Sequence, residues 1–237
     1  MASRISETSL RTYARAAGVL YLINFIIAGV APVHVLPRLI VAGDAAATAT
    51  NIIASEWMLR LAVAGDLITV LTEVALAALL YVLFRPVNRN LALLTAFFRL
   101  AYSAVLTVNV LNLFAPLRLL ADESFLTAFS AGQLPALAML SLDAYDDTFT
   151  VALLLFSVHI LTLGYLLYKS GYVPRVLGAW LMFGSLWFVV YSFGNLVVPG
   201  VEVSLLVVIP PALGELAWLL LLLFNRVNLR APDRQAA

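Results

Sequence analysis

Hydrophobic and polar positions along this chain fall into long blocks. Six apolar runs stand out, at residues 14–35, 58–84, 91–113, 148–168, 176–198 and 203–224. Each is about as long as the roughly 20 residues that cross a hydrocarbon core. Backbone groups in lipid must be satisfied within the segment, so these runs are expected to be helices. The alternation of apolar and polar positions that marks barrel strands is absent. The pattern therefore predicts an all-α polytopic membrane protein, a six-transmembrane-helix bundle forming one domain over residues 1–237.

The polar breaks between the runs refine this picture. Arg85-Pro86-Val87-Asn88-Arg89-Asn90 and Lys169-Ser170-Gly171-Tyr172-Val173-Pro174-Arg175 are short links, which make antiparallel hairpins of runs two and three and of runs four and five. Two other breaks are longer. In 36–57, Gly43-Asp44 followed by Ala45-Ala46-Ala47-Thr48 reads as an N-cap and a short helix. In 115–147, residues 134–142 form a second amphipathic stretch. Both are expected either as short interfacial helices or as packed connectors over the bundle mouth. The first run follows a basic leader, as a secretory signal would. Its length, with Pro32 and Pro37 near its end, instead points to a retained anchor.

Composition agrees with the pattern. Among 237 residues, 63% are hydrophobic and 11% charged, against roughly 45–50% and 25% in soluble domains. Too few polar residues remain to cover a water-soluble surface of this size. With a net charge of +1, nucleic acid is not an expected partner; the lipid bilayer is. The charges carry orientation as well. If both termini are cytoplasmic, ten basic residues lie inside (Arg4, Arg11, Arg15, Arg85, Arg89, Lys169, Arg175, Arg226, Arg230 and Arg234) and three outside (Arg38, Arg60 and Arg118). That asymmetry predicts an even number of spans in a bacterial inner membrane. The acids Asp44, Glu56, Asp122, Glu123, Asp143, Asp146, Asp147 and Glu202 all fall on the outer side.

Ionisable residues inside the spans are the candidate chemistry, because each costs roughly 2.5–3.5 kcal/mol to insert at a helix centre. Asp66 and Glu73 share a face of span two, seven residues apart. Arg99 lies in span three, His159 in span four and Glu215 in span six; Asn24 is a polar position in span one. Asn24, Glu73, Arg99, His159 and Glu215 each sit 8 to 11 residues from the cytoplasmic end of their span, a spread of about one helical turn. These six residues form the expected intramembrane polar cluster. Folding the hairpin of spans two and three about residues 87–88 sets Glu73 within one turn of Arg99, so an ion pair is expected there.

Such a layer has three readings. Paired charges can tie the helices together and fix their register. They can instead line a proton or small-ligand path, with His159 as a titrating group. Or His159 can ligate a cofactor such as haem, which one histidine supports weakly. His34 reads as a solvated loop residue. Pro210 and Pro211 are expected to kink span six, a feature shared by transporter sites and plain packing kinks. Gly164, Gly178 and Gly184 are expected to permit close helix approach.

Enzyme chemistry has little support. No His-Glu-x-x-His, Gly-x-Ser-x-Gly or clustered aspartate motif occurs. Ser157 and His159 leave different helix faces. Cysteine is absent, and two histidines are too few for a histidine-built metal centre. We therefore expect no catalytic residues, no metal and no cofactor.

The chain also resembles an uncharacterised bacterial integral membrane family, catalogued as domain-of-unknown-function family 4386. The resemblance rests on Arg15-Ala16-Ala17-Gly18-Val19-Leu20-Tyr21-Leu22, on Gly43-Asp44-Ala45-Ala46-Ala47-Thr48-Ala49 with the later Arg60, and on Leu80-Tyr81-Val82-Leu83-Phe84-Arg85-Pro86-Val87-Asn88 before Leu91-Ala92-Leu93-Leu94. Its most specific part runs from His159 through Gly164-Tyr165-Leu166-Leu167-Tyr168-Lys169-Ser170-Gly171-Tyr172-Val173-Pro174-Arg175-Val176-Leu177-Gly178, and Gly214-Glu215-Leu216 closes it. Phe224-Asn225-Arg226 departs from the family's usual Lys-Gly ending. The resemblance covers about 11–225 and implies a six-span bundle with no established activity. The expectation is thus a multi-pass membrane protein whose polar layer stabilises the bundle, conducts protons or binds a small ligand. The alternatives are a scaffold or accessory subunit with a membrane-protein partner and, more weakly, an intramembrane enzyme or haem protein. The sequence leaves the oligomeric state open.

Overall fold

The structure is a computed structural model describing residues 7–30, 35–121, 128–130, 132–224 and 226–229. His34, Asp122 and Glu123 lie outside the described residues. Those described form helices and turns, with no strand among them. In chain order the helices are α1 (Glu7–Val30), α2 (Leu36–Leu39), α3 (Ala45–Ala54), α4 (Glu56–Phe84), α5 (Arg89–Leu119), α6 (Gln133–Ser170), α7 (Arg175–Val197) and α8 (Ile209–Leu223), the last preceded by a 3₁₀ turn at Leu205–Val208. Five helical stretches are long and apolar enough to cross a membrane: α4, α5, α6, α7 and the combined Leu205–Leu223.

Two expectations of helix layout are corrected. Residues 134–142 are not a separate interfacial helix, and Asp143, Asp146 and Asp147 do not lie in a break between helices. All lie inside the 38-residue α6. Pro135 sits in its first turn, where a missing N–H costs nothing, and no glycine or proline follows before Gly164 to end the helix. Pro210 and Pro211 do not kink a span from within. They stand at the first positions of α8, where proline is pre-organised for a helix start.

The chain divides into two compact units, one from Met1–Ile23, Thr72–Ser103 and Thr150–Ala237, the other from Asn24–Leu71 and Ala104–Phe149. In the second unit α2 and α3 pack together. Asp44 caps α3 by accepting the Ala47 N–H at 2.8 Å. Leu36, Leu39, Ile52, Leu59, Ala62, Leu113, Leu117 and Leu142 form one buried cluster. Leu36, Leu39 and Ile52 thus tie residues 36–57 into this core, while Ile53 and Trp57 are exposed.

In the first unit, turn chemistry sets the two short links. Asn88 caps α5 by accepting the Leu91 N–H at 2.9 Å. Gly171 has φ of 67°, the left-handed backbone that ends α6 and that glycine adopts without a Cβ penalty. The Tyr172 hydroxyl beyond it donates to the Leu83 carbonyl at 3.4 Å. Burial pushes that phenol up to about 12, so it stays a donor at neutral pH. The hairpin of α6 and α7 closes through glycine: a Cβ on Gly164 would meet the Gly178 oxygen at 2.8 Å, and one on Gly178 would meet the Tyr168 nitrogen at 2.6 Å. Only bare backbones come this near. Gly184 admits Pro211 in the same way, and Gly18 on α1 admits Leu223 of α8.

Candidate functional site

Arg99 is the centre of the first unit. A guanidinium in an apolar interior is stable only if each nitrogen finds a partner. Arg99 is 1% exposed, Glu73 4% and His159 0%. Nη2 of Arg99 donates to Oε1 of Glu73 at 2.8 Å. Nε faces Oε2 at 2.7 Å, an ion-pair contact without hydrogen-bond alignment. Nη1 serves two partners, the Tyr21 hydroxyl at 3.0 Å and Nε2 of His159 at 2.8 Å. The guanidinium carbon also lies 4.9 Å from the Tyr21 ring centre and 5.8 Å from that of Phe156.

These contacts settle the state of His159. Its Nδ1 lies 2.9 Å from the Thr95 carbonyl oxygen. A carbonyl can only accept, so Nδ1 carries the proton. Nε2 then holds the lone pair, and it faces an arginine that can only donate. The imidazole is neutral with both nitrogens engaged. Phe156, one turn earlier on α6, stacks on the ring at 5.5 Å. The knot thus joins α1, α4, α5 and α6 through Tyr21, Glu73, Arg99 and His159, with one positive and one negative charge.

The six expected residues do not all meet. Glu73, Arg99 and His159 are in contact. Glu215 on α8 interacts with Arg99, Glu73 and Tyr21 electrostatically, but among the described residues it makes no hydrogen bond or ion pair. Asn24 and Asp66 fall in the second unit. Asn24 is buried there, and Asp66 accepts a hydrogen bond from the Tyr145 hydroxyl at 2.9 Å. Seven residues separate Asp66 from Glu73 on one face of α4, or about 10 Å along the axis, too far to serve one guanidinium. Ser157 turns back on its own helix, donating to the Leu154 carbonyl at 2.6 Å.

Tyr21 was not anticipated. It lies one turn before Asn24 on α1. A whole network in the second unit was also missed. Asn109 Nδ2 donates to the Tyr145 carbonyl at 2.9 Å. Asn112 Nδ2 donates to Asn109 Oδ1 at 3.1 Å, to the Ala144 carbonyl at 3.3 Å and to Thr148 Oγ1 at 3.2 Å. Its signal in the sequence was two asparagines three residues apart within one apolar run. Among the described residues, no group of three or more His, Asp or Glu side chains is arranged to hold a metal.

The model of the family described as "Domain of unknown function (DUF4386)" matches residues 16–225, and the chain belongs to that family. An uncharacterized protein of Archaeoglobus fulgidus is 26% identical over 128 residues, which is 54% of this chain and 63% of that relative's length. No solved structure matches.

Proposed function

We propose that this member of the DUF4386 family is a six-span protein of a bacterial inner membrane, that its buried arginine knot is a fixed tie, and that it acts as a scaffold or accessory subunit. The 24 residues of α1 are long enough for the sixth span. The excess of Arg and Lys at the α4–α5 and α6–α7 links and beside the outer ends of α1 and α8 supports placing those ends in the cytoplasm. The observation that carries the reading is that both nitrogens of His159 are engaged while Arg99 is ion-paired to Glu73. A proton relay needs a group that can accept a proton and pass it on. Here the histidine lone pair faces a permanent cation, and the histidine proton faces a carbonyl. Such an arrangement holds helices in register.

A second reading, a proton or small-ligand path, has one observation in its favour. Glu215 is an acid on a span, near Arg99 and Glu73, with no hydrogen bond among the described residues. The two readings part in reconstituted vesicles. Under an imposed pH gradient, a trapped pH-sensitive dye is expected to report no flux above protein-free vesicles, from wild type or Glu215→Gln. Flux from wild type that Glu215→Gln abolishes would replace the tie with a path.

A further inference from the structure

Beyond α8 the chain turns back on itself. The Arg226 N–H donates to the Leu221 carbonyl at 2.9 Å, and the Asn228 N–H donates to the Tyr172 carbonyl at 2.9 Å. Val227 and Leu229 are buried, which leaves Arg226 and Asn228 facing outward. The second bond ties residues 226–229 to the turn between α6 and α7. Along α8, next to this segment, runs a groove of about 560 Å³ lined by Ala217, Leu220, Leu221, Phe224 and Arg226. The first four follow helical spacing and give an apolar wall about 10 Å long. A cation closes its end.

The adjoining turn adds two more cations. Lys169 Nζ lies 5.8 Å from the Tyr165 ring centre, and the Arg175 guanidinium carbon lies 5.7 Å from that of Tyr168. The tyrosines are 43% and 36% exposed, so both cations are parked on outward-facing rings, as at a membrane interface. Among the described residues, neither cation forms an ion pair. From residue 165 to 229 the acids are Glu202, in the link after α7, and Glu215, over two turns before Arg226. An apolar wall ending in a positive rim matches an acyl chain below a phosphate. A second protein helix would match the wall and leave the rim unanswered.

We propose that this groove binds one anionic glycerophospholipid. An acyl chain lies along Ala217, Leu220, Leu221 and Phe224, and the phosphate sits against Arg226 in the positive field of Lys169 and Arg175. The test is native mass spectrometry of the full chain in a non-ionic detergent, titrated with phosphatidylglycerol or phosphatidylcholine. Wild type is expected to retain one phosphatidylglycerol with at least tenfold preference. Arg226→Gln should cut that preference about fivefold, as expected for one cation near a lipid phosphate, and Arg226→Lys should restore most of it. Ala217→Phe, which fills the groove, should lower retention of both lipids. Arg15→Gln, a control at another basic position, should change nothing, and a melt of each variant checks folding. Equal retention of the two lipids by wild type would overturn the proposal, as would equal losses in Arg226→Gln and Arg15→Gln. The chain has no native cysteine. Efficient disulfide dimerisation of Leu220→Cys in membranes would therefore place a second copy on the groove and overturn it too.

Discussion

Each of the two units carries an internal polar network, and the two are built on different chemistry. In the first, a permanent cation and a carboxylate are buried together, and Tyr21, Thr95 and His159 exist in that network to absorb what the charges leave over. In the second, neutral amides reach across from α5 to α6 and bond the carbonyls of Ala144 and Tyr145, with Thr148 beside them. Charge demands completeness, because an unpaired ion in an apolar interior is far more costly than an unpaired amide. A neutral network tolerates gaps, since a helix carbonyl already accepts its own N–H. The arginine knot should therefore fail all at once, and the asparagine network in small steps.

That contrast can be broken experimentally, most sharply at Arg99. Arg99→Gln leaves Glu73 buried without its counter-ion and should cost about 3–5 kcal/mol in denaturant unfolding in micelles. Glu73→Gln should cost a similar amount, and the double variant much less than the two together. Simple additivity would show that the pair is not coupled. Next in size is backbone approach. Gly178→Ala forces a methyl into the Gly164 oxygen and Tyr168 nitrogen and should cost about 1–3 kcal/mol. A neutral melting shift there would mean α6 and α7 separate easily, and the knot would have to carry more of the first unit's rigidity. In the second unit, Asn112→Ala should cost about 1–2 kcal/mol, in the range of interhelical polar contacts in membranes. A loss as large as that of Arg99→Gln would erase the distinction between charged and neutral networks. Smallest is Tyr145→Phe, which removes the hydrogen bond that the Tyr145 hydroxyl donates to Asp66 and should cost about 0.6 kcal/mol. A larger loss would mean Asp66 is as tightly held as Glu73.

How much of this was legible depended on whether a feature is local. The cap at Asp44 and the reversals at Arg85–Asn90 and Lys169–Arg175 follow from a few neighbouring residues, and the structure has each of them. The continuity of α6 was misread because polar residues at 143–147 look like a break, although aspartates do not end a helix without glycine or proline to stop it. The apolar run opens at residue 203 but α8 opens only at Ile209, so Pro210 and Pro211 fall at a helix start and not in its interior. In the candidate site, Glu73 and Arg99 could be matched because a short link fixes the register of one hairpin. Tyr21 and the Asn109–Asn112 network could not, since nothing local says which way α1 or α5 is rotated.

Length and apolar blocks by themselves determined that this chain is a set of long helices with ionisable residues inside them. Insertion into lipid depends on each segment alone, which is why it can be read one segment at a time. Tertiary structure alone decided which polar groups meet. It gave Arg99 a phenol, a carboxylate and a neutral imidazole, turned Asp66 to Tyr145, and left Glu215 without a hydrogen bond among the described residues. Those choices depend on the rotation of each helix about its axis, which is set by the packing of all its neighbours at once.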